Sequence, residues 1–184
     1  MDLKAVDVAI FKHSMRRFAS SVCVVATGGA HPCGMTATSV CSLSAAPPSV
    51  LVALNNGSKT AEAIIANGSF SLNLLSSGQD CLAKLFSSDG LRQSKTLYLT
   101  RKAVAGITGA PLIRAACTTM ECCIEDVMNF GSHSIFVGRV VSTSARDNSG
   151  PLLYHNGSYG SFSEAEPVAA SSTQTLQLPC KVGA

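Results

Sequence analysis

Two polar segments of this 184-residue sequence combine residue types that could bind a nucleotide-like ligand. The first, residues 34–44, places five hydroxyl side chains on an otherwise apolar element: Thr36, Thr38, Ser39, Ser42 and Ser44. Hydroxyl and backbone N–H groups along a strand can bond a flat heterocycle that carries carbonyl and nitrogen acceptors. An ordinary strand whose polar residues face solvent explains the same pattern, so the residues alone leave both interpretations open.

The second polar segment, residues 55–64, has the pattern of a phosphate site. Here an apolar strand ends in a turn that opens a helix, and Ser58 or Thr60 can cap that helix. Free N–H groups at a helix N-terminus, two hydroxyls and the ammonium of Lys59 together favour an anion. Ordinary capping also explains the hydroxyls. A lysine in the first turn is unfavourable for the helix dipole, however, and therefore favours a ligand.

A histidine and two tyrosines are the remaining candidates. His133 lies in a Gly-Ser-His-Ser turn, and Tyr154 and Tyr159 flank an Asn-Gly pair that predicts a hairpin. A histidine in a turn is more often a solvated or capping residue, and the tyrosines could simply pack across the hairpin.

Signatures of the common hydrolases and NTPases do not occur in the sequence. There is no GxGxxG after a strand, no GxxxxGK[ST], no GxSxG and no HExxH. The 8 cysteines form no CxxC pair, so we interpret them as reduced thiols and predict no metal site and no disulfide framework.

The charge content is low for a chain of this size. Only 14% of the residues are charged, 46% are hydrophobic, and the net charge is +3. This composition excludes intrinsic disorder and does not indicate nucleic-acid binding. No apolar run is long enough to span a membrane, and the first residues lack the order of a signal peptide, so we expect a cytoplasmic protein. We also expect another subunit or a ligand to cover part of the surface.

The elements that must position these residues are mostly strands. A first helix is predicted from apolar residues at helical spacing: Val8, Phe11, Met15 and Phe18. Residues 22–27 and 50–54 are predicted strands buried on both faces, and residues 87–111 are predicted as loop. Most connections are too short for parallel crossovers, so we expect six to eight largely antiparallel strands, with short inserted helices, closing into a barrel. We expect one domain over residues 1–162 and a flexible tail over 163–184.

The order of the motifs along the chain resembles one family. The motifs are MRRFASSVCVVAT, GMTATSVCSLSAAPPSVLVALN, SKTAEAI, FSLNLL, SHSIFVGRV and PLLYHNGSYG. Together they resemble the short-chain NAD(P)H:flavin reductases, which are the reductase components of two-component flavin-dependent monooxygenases. The resemblance implies a mainly β, FMN-binding split β-barrel, a homodimer, FMN or FAD as flavin, NADH or NADPH as hydride donor, and a monooxygenase that receives reduced flavin.

The same resemblance implies roles for single residues. The strand along the isoalloxazine ring would be Thr36, Ala37, Thr38 and Ser39. The segment that holds ribityl and phosphate would be Asn55, Ser58, Lys59 and Thr60. The loop near ribityl or adenine would be Phe86, Ser87 and Ser88, followed by a basic residue, Arg92. His133 would face the nicotinamide as the catalytic residue, and the hairpin residues near the dinucleotide would be Tyr154, His155 and Tyr159.

Two alternatives to a reductase stay open. A flavin-binding split barrel without free-flavin reductase activity, such as an electron carrier or an enzyme on another substrate, is favoured by Ser132, which replaces the family's acidic residue. A flavin-free barrel that binds a partner is the other alternative.

Overall fold

Twelve strands and four helices follow one another along residues 3–147 and 150–165, the part of the chain that this computed structural model describes. In chain order they are α1 (Val8–Met15), β1 (Ser20–Ser21), β2 (Cys23–Thr27), β3 (Cys33–Ala37), β4 (Val40–Ala45), β5 (Pro48–Asn55), α2 (Lys59–Asn67), β6 (Ser69–Leu74), α3 (Asp80–Ser87), α4 (Arg92–Lys102), β7 (Ala103–Ala105), β8 (Pro111–Ile113), β9 (Thr118–Phe130), β10 (His133–Ala145), β11 (Leu152–His155) and β12 (Ser158–Ser161). Most of the predicted tail, residues 166–184, lies outside the described residues.

A seven-stranded sheet in the order β3-β2-β6-β9-β10-β5-β4 forms the body of the molecule. All of its strand pairs are antiparallel, as the short connections predict. The long hairpin β9–β10 is its centre. A three-stranded sheet, β1-β11-β12, and a two-stranded one, β7-β8, complete the strands of the described residues.

Two hydrophobic clusters lie on opposite faces of β2, and every residue of this strand is buried. Val25 belongs to one cluster, whereas Val24 and Ala26 belong to the other, because successive side chains of a strand point to opposite faces. The prediction of a strand buried on both faces is thus confirmed for β2. In β5, Leu51 and Ala53 are only half-buried within this single chain, so for that strand burial of the second face stays a prediction. Helices α2–α4 pack mainly on β2 and β3, which leaves one face of β5 partly open.

A long excursion, residues 75–117, separates β6 from β9, although these strands are direct neighbours in the sheet. Its two ends are joined, since the N–H of Cys117 donates to the Leu74 carbonyl at 2.7 Å. The excursion contains α4, so the prediction of a loop over residues 87–111 is wrong. This helix has a mostly polar sequence and no side-chain N-cap, and Leu99 is its only buried residue. Tertiary packing of that residue, and not local sequence, fixes the helix.

A buried carboxylate fastens the last part of the excursion. Glu121 of β9 is 2% exposed and accepts hydrogen bonds from both the N–H and the hydroxyl of Thr108, each at 2.8 Å. Burial alone would raise the pKa of Glu121, but hydrogen bonds from Thr108, Ile107 and Ser142 outweigh it and lower the pKa. The ionised carboxylate therefore holds the loop that follows β7.

Helix α1 forms as predicted, but its apolar side has no cover within the described chain. Asp7 caps it by accepting from the N–H of Ala9 at 2.8 Å. Val8 is 64% exposed and Phe11 54% exposed, and Phe18, just beyond the helix, is equally uncovered. Such a contiguous apolar surface is a mark of an interaction site.

Candidate functional site

A cavity of about 330 Å³ lies between β3, the N-terminus of α2, the end of α3 and the start of α4. Seven of the residues predicted from the sequence line it: Thr36, Ser58, Lys59, Thr60, Phe86, Ser87 and Arg92. The other seven lining residues are not among those predicted: Cys33, Gly34, Met35, Gly57, Asp89, Lys95 and Thr96. Lys95 and Thr96 lie three and four residues after Arg92, and this helical spacing is the signal that a prediction of α4 would have used.

The α2 side of the cavity is a capped helix N-terminus. Ser58 is the N-cap, and its hydroxyl accepts from the N–H of Ala61 at 3.1 Å. The ammonium of Lys59 pairs with Glu62 at 2.8 Å on the exposed surface. Among the described residues, the N–H groups of Lys59 and Thr60 meet no acceptor, so they are available to an anion.

The α4 side of the cavity carries cations. Arg92 and Lys95 line it together with Asp89, and the three ion pairs found among the described residues include neither cation. Burial raises the pKa of the Cys33 thiol, which a hydrogen bond with Thr60 and the charge of Arg92 only partly offset. Cys33 is therefore a neutral wall residue and not a nucleophile.

The hydroxyls of the predicted flavin strand are largely occupied by the protein. Thr36 donates to the Ala83 carbonyl of α3 at 2.8 Å, and Ser39 donates to the Ala53 carbonyl at 2.6 Å. Ala37 is buried in the core, and Thr38 is exposed. Of these four residues only Thr36 lines the cavity, so the structure does not bring Ala37, Thr38 and Ser39 into it.

The end of α3 forms the floor of the cavity. Phe86 is 1% exposed, and its ring meets the ring of Tyr98 edge-on, with the centroids 5.9 Å apart. Because Phe86 is covered, it supports the cavity and has little free face on which an adenine could stack. The hydroxyl of Ser87 donates to the Lys84 carbonyl at 3.1 Å, and Ser88, the C-cap of α3, does not line the cavity.

His133 and Asn55 lie side by side at the end of the main sheet. They are register partners in the β5–β10 pair, and Asn55 also accepts from the N–H of Gly57 at 2.9 Å. The turn before α2 is tied to the β9–β10 turn, since the N–H of Asn56 donates to the Ser132 carbonyl at 3.1 Å. The ring of His133 is exposed, and its Nδ1 lies 2.9 Å from the Ser132 hydroxyl.

The predicted Asn-Gly hairpin is confirmed as β11–β12, with positive φ at both Asn156 (49°) and Gly157 (87°). The rings of Tyr154 and Tyr159 lie 5.3 Å apart, and the ammonium of Lys84 is 5.8 Å from the Tyr159 ring centre. A second cavity, of about 510 Å³, is lined by Tyr159 together with Asp80 and Lys84 of α3. Exposed His155 and the two tyrosines therefore do not line the cavity of Thr36 and Ser58.

Comparison with known proteins decides the family. Residues 15–163 match the family described as flavin reductase like domain. The chain belongs to this family. This flavin reductase-like chain is 32% identical, over 84% of its length and 88% of the relative, to FMN reductase (NADH) RutF of Stutzerimonas stutzeri (strain A1501).

Two further similarities concern two-component systems. The chain is 34% identical to the reductase component of the FADH(2)-dependent resorcinol hydroxylase of Rhizobium sp. (strain MTP-10005), over 84% of the chain and 87% of the relative. Its structure is similar to that of BorF, the flavin reductase component of a bacterial two-component tryptophan halogenase. The TM-score is 0.81 at 31% identity, covering 86% of this chain and 100% of BorF. The predicted split-barrel fold with inserted helices is thereby confirmed.

The lining of the cavity suits the phosphorylated end of a flavin. The side chains of Thr60 and Ser58 meet there with two N–H groups and two cations for which residues 3–147 and 150–165 offer no acceptor or ion pair. No three His, Cys, Asp or Glu residues of the described segments lie close enough together to hold a metal ion. No helix in those same segments has the length and apolar character needed to cross a membrane.

Proposed function

We propose that this chain is an NAD(P)H:flavin oxidoreductase, which uses NADH or NADPH to reduce FMN or FAD and supplies the reduced flavin to a partner monooxygenase. The cavity between α2 and α4 carries the proposal, because it offers an anion site, formed by a helix N-terminus and two cations, in a chain of the flavin reductase family. The flavin and the nicotinamide supply the redox chemistry, and the protein binds and orients both.

The N-terminus of α2 would hold the flavin phosphate. The N–H groups of Lys59 and Thr60 have no other acceptor among the described residues, and the positive end of the helix dipole favours a dianion there. The ammonium of Lys59 can leave its exposed pair with Glu62 at little cost, since such surface pairs contribute at most about 1 kcal/mol.

The segment between β3 and β4 would bind the flavin ring through its backbone. Two nearby hydroxyls, those of Thr36 and Ser39, already donate to protein carbonyls. The backbone N–H groups between β3 and β4 are thus the donors best suited to the ring oxygens, where negative charge develops on reduction. Thr36 fixes α3 against β3 and so shapes the cavity.

His133 would orient the nicotinamide. Its exposed ring stands at the end of the sheet beside Asn55, and the Ser132 hydroxyl on Nδ1 restrains the ring's orientation. Nε2 is then the ring nitrogen left to contact the carboxamide. Tyr159 lines the second cavity and packs on Tyr154, so the hairpin would contact the rest of the dinucleotide from there.

The same proposal includes a homodimer in the cytoplasm. The uncovered apolar side of α1 is the surface that a second copy would bury, so Phe11→Asp is expected to shift the protein from dimer to monomer in analytical ultracentrifugation. A wild-type monomer would contradict this part of the proposal. The seven described cysteines are all free thiols, which supports a reducing compartment.

A turnover assay with four cofactor pairs tests the function. Purified protein is mixed with NADH or NADPH and with FMN or FAD, and loss of the nicotinamide absorbance is followed under saturating flavin. Flavin-dependent oxidation with at least one pair is expected. If no pair reacts and flavin instead stays tightly bound during purification, the chain is a flavin-binding barrel without free-flavin reductase activity.

A further inference from the structure

Helix α4 presents an unexplained cationic face to the cavity. Arg92, Lys95 and Leu99 follow one another at spacings of three and four, so they share one side of the helix. Leu99 is 3% exposed and packs in the core, which turns this side toward the body of the molecule. The core-facing side of α4 thus begins with two cations over the cavity and ends with an apolar anchor.

Lys95 is the unusual member of this face. It is half-buried, lines the cavity and forms no ion pair with any described carboxylate. Burial lowers the pKa of its ammonium, and the charge of Asp89 only partly offsets this effect. Desolvating a lysine without a hydrogen-bonded counter-ion is unfavourable, and a bound anion would remove that cost.

The two cations are placed for two neighbouring anionic groups. Arg92 lies near Cys33, which also bonds Thr60 at the α2 N-terminus, so Arg92 and α2 face the same end of the cavity. Lys95 lies one turn further along α4, about 4.5 Å at the usual rise per residue. A phosphate held by α2 and Arg92 therefore leaves Lys95 for the next phosphate of a diphosphate.

Building on the function proposed above, we propose that Lys95 binds the second phosphate of FAD and makes this chain prefer the dinucleotide flavin over FMN. Relatives differ in the flavin that their names carry, FMN in one and FADH(2) in another, so family membership does not decide it. The α2 N-terminus and Arg92 bind the phosphate that FMN and FAD share, and Lys95 binds the phosphate that only FAD has.

The test compares the two flavins in one variant. Lys95→Met keeps most of the aliphatic stem and removes the charge, and we expect the ratio of KM for FAD to KM for FMN to rise about tenfold. This is the loss expected for one charge-assisted hydrogen bond. Lys95→Arg should restore the ratio. Lys102→Met, at the exposed far end of the same helix, is the matched control and should not change it.

Three results would overturn the assignment. Equal increases in KM for both flavins would place Lys95 on the shared phosphate, and an increase in KM for NADH alone would place it on the nicotinamide dinucleotide. Unchanged KM values for both flavins and for NADH would remove it from binding. If the wild type turns over neither flavin, the function proposal fails separately, and the Kd values of FMN and FAD, measured by flavin fluorescence with wild type and Lys95→Met, still decide the role of Lys95.

Discussion

Replacing Thr36 by valine tests whether the Thr36 hydroxyl stabilises the fold or binds the flavin. The family resemblance implies that this hydroxyl contacts the flavin, whereas in the structure it donates to the Ala83 carbonyl of α3 at 2.8 Å. Valine keeps the shape of the side chain and removes the donor. We therefore expect Thr36→Val to weaken the attachment of α3 to β3 and to leave flavin recognition by the backbone largely intact.

The size of the effect follows from the single hydrogen bond that is lost. A neutral hydrogen bond contributes about 0.5–1.5 kcal/mol net to the free energy of unfolding. For a domain of this length, about 1 kcal/mol corresponds to a fall in Tm of about 3 °C. The flavin KM should stay within about twofold of the wild-type value, because α3 remains held by Phe86 and Ala83, both buried.

Thermal unfolding and steady-state kinetics on the same samples decide between the two roles. Thr36→Ser keeps the donor and is the matched control, so its Tm should lie closer to that of the wild type. The reasoning is refuted if Thr36→Val has an unchanged Tm and a flavin KM raised about tenfold. That outcome would mean that the hydroxyl leaves Ala83 and binds the flavin.

Two further predictions concern stability. Gly138→Ala should lower the free energy of unfolding by about 1–3 kcal/mol in denaturant titrations, because its Cβ would lie 2.5 Å from Cζ of Phe70. Gly160→Ala is the control, because the space around its Cβ is open. Equal effects of the two substitutions would contradict the packing argument. Because the pKa of Glu121 is depressed, the contribution of its carboxylate to the free energy of unfolding is complete above the ordinary pKa near 4.3 and is lost as pH falls through the folded-state pKa. Tm measured across acid pH should therefore fall less steeply in Glu121→Gln than in the wild type. Parallel curves for the two proteins would contradict this assignment.

The sequence predicts elements well where their own residues carry the signal. Ser58 and Gly68 bracket α2 as cap and left-handed stop, and Asn156-Gly157 closes its hairpin. Helix α4 could not be predicted in this way, because its stability comes from burying Leu99 against residues distant in sequence. The two new cavity residues on that helix were missed for the same reason.

The candidate site shows the same division. Residue types alone predicted an anion site at the N-terminus of α2, and the structure places Ser58 and Lys59 in the lining of the cavity. They could not reveal that the hydroxyls of Thr36 and Ser39 donate to the carbonyls of Ala83 and Ala53, because only folding brings these partners close. Hydrogen-bond partners of side chains on strands are a property of register and packing, which a pattern of residue types does not contain.

The excursion between β6 and β9 has a consequence for engineering. Its ends meet at the hydrogen bond between Cys117 and Leu74, so the excursion leaves and rejoins the paired strands β6 and β9 at one place. Residues 75–117 therefore form a cassette that carries one wall of the cavity and, through Leu75, Phe86 and Ile113, part of the core on β2, while the other wall, from β3 and α2, lies outside it. Transplanting this cassette from a relative with a different flavin should transfer the choice of flavin and leave the scaffold, with its phosphate end, in place.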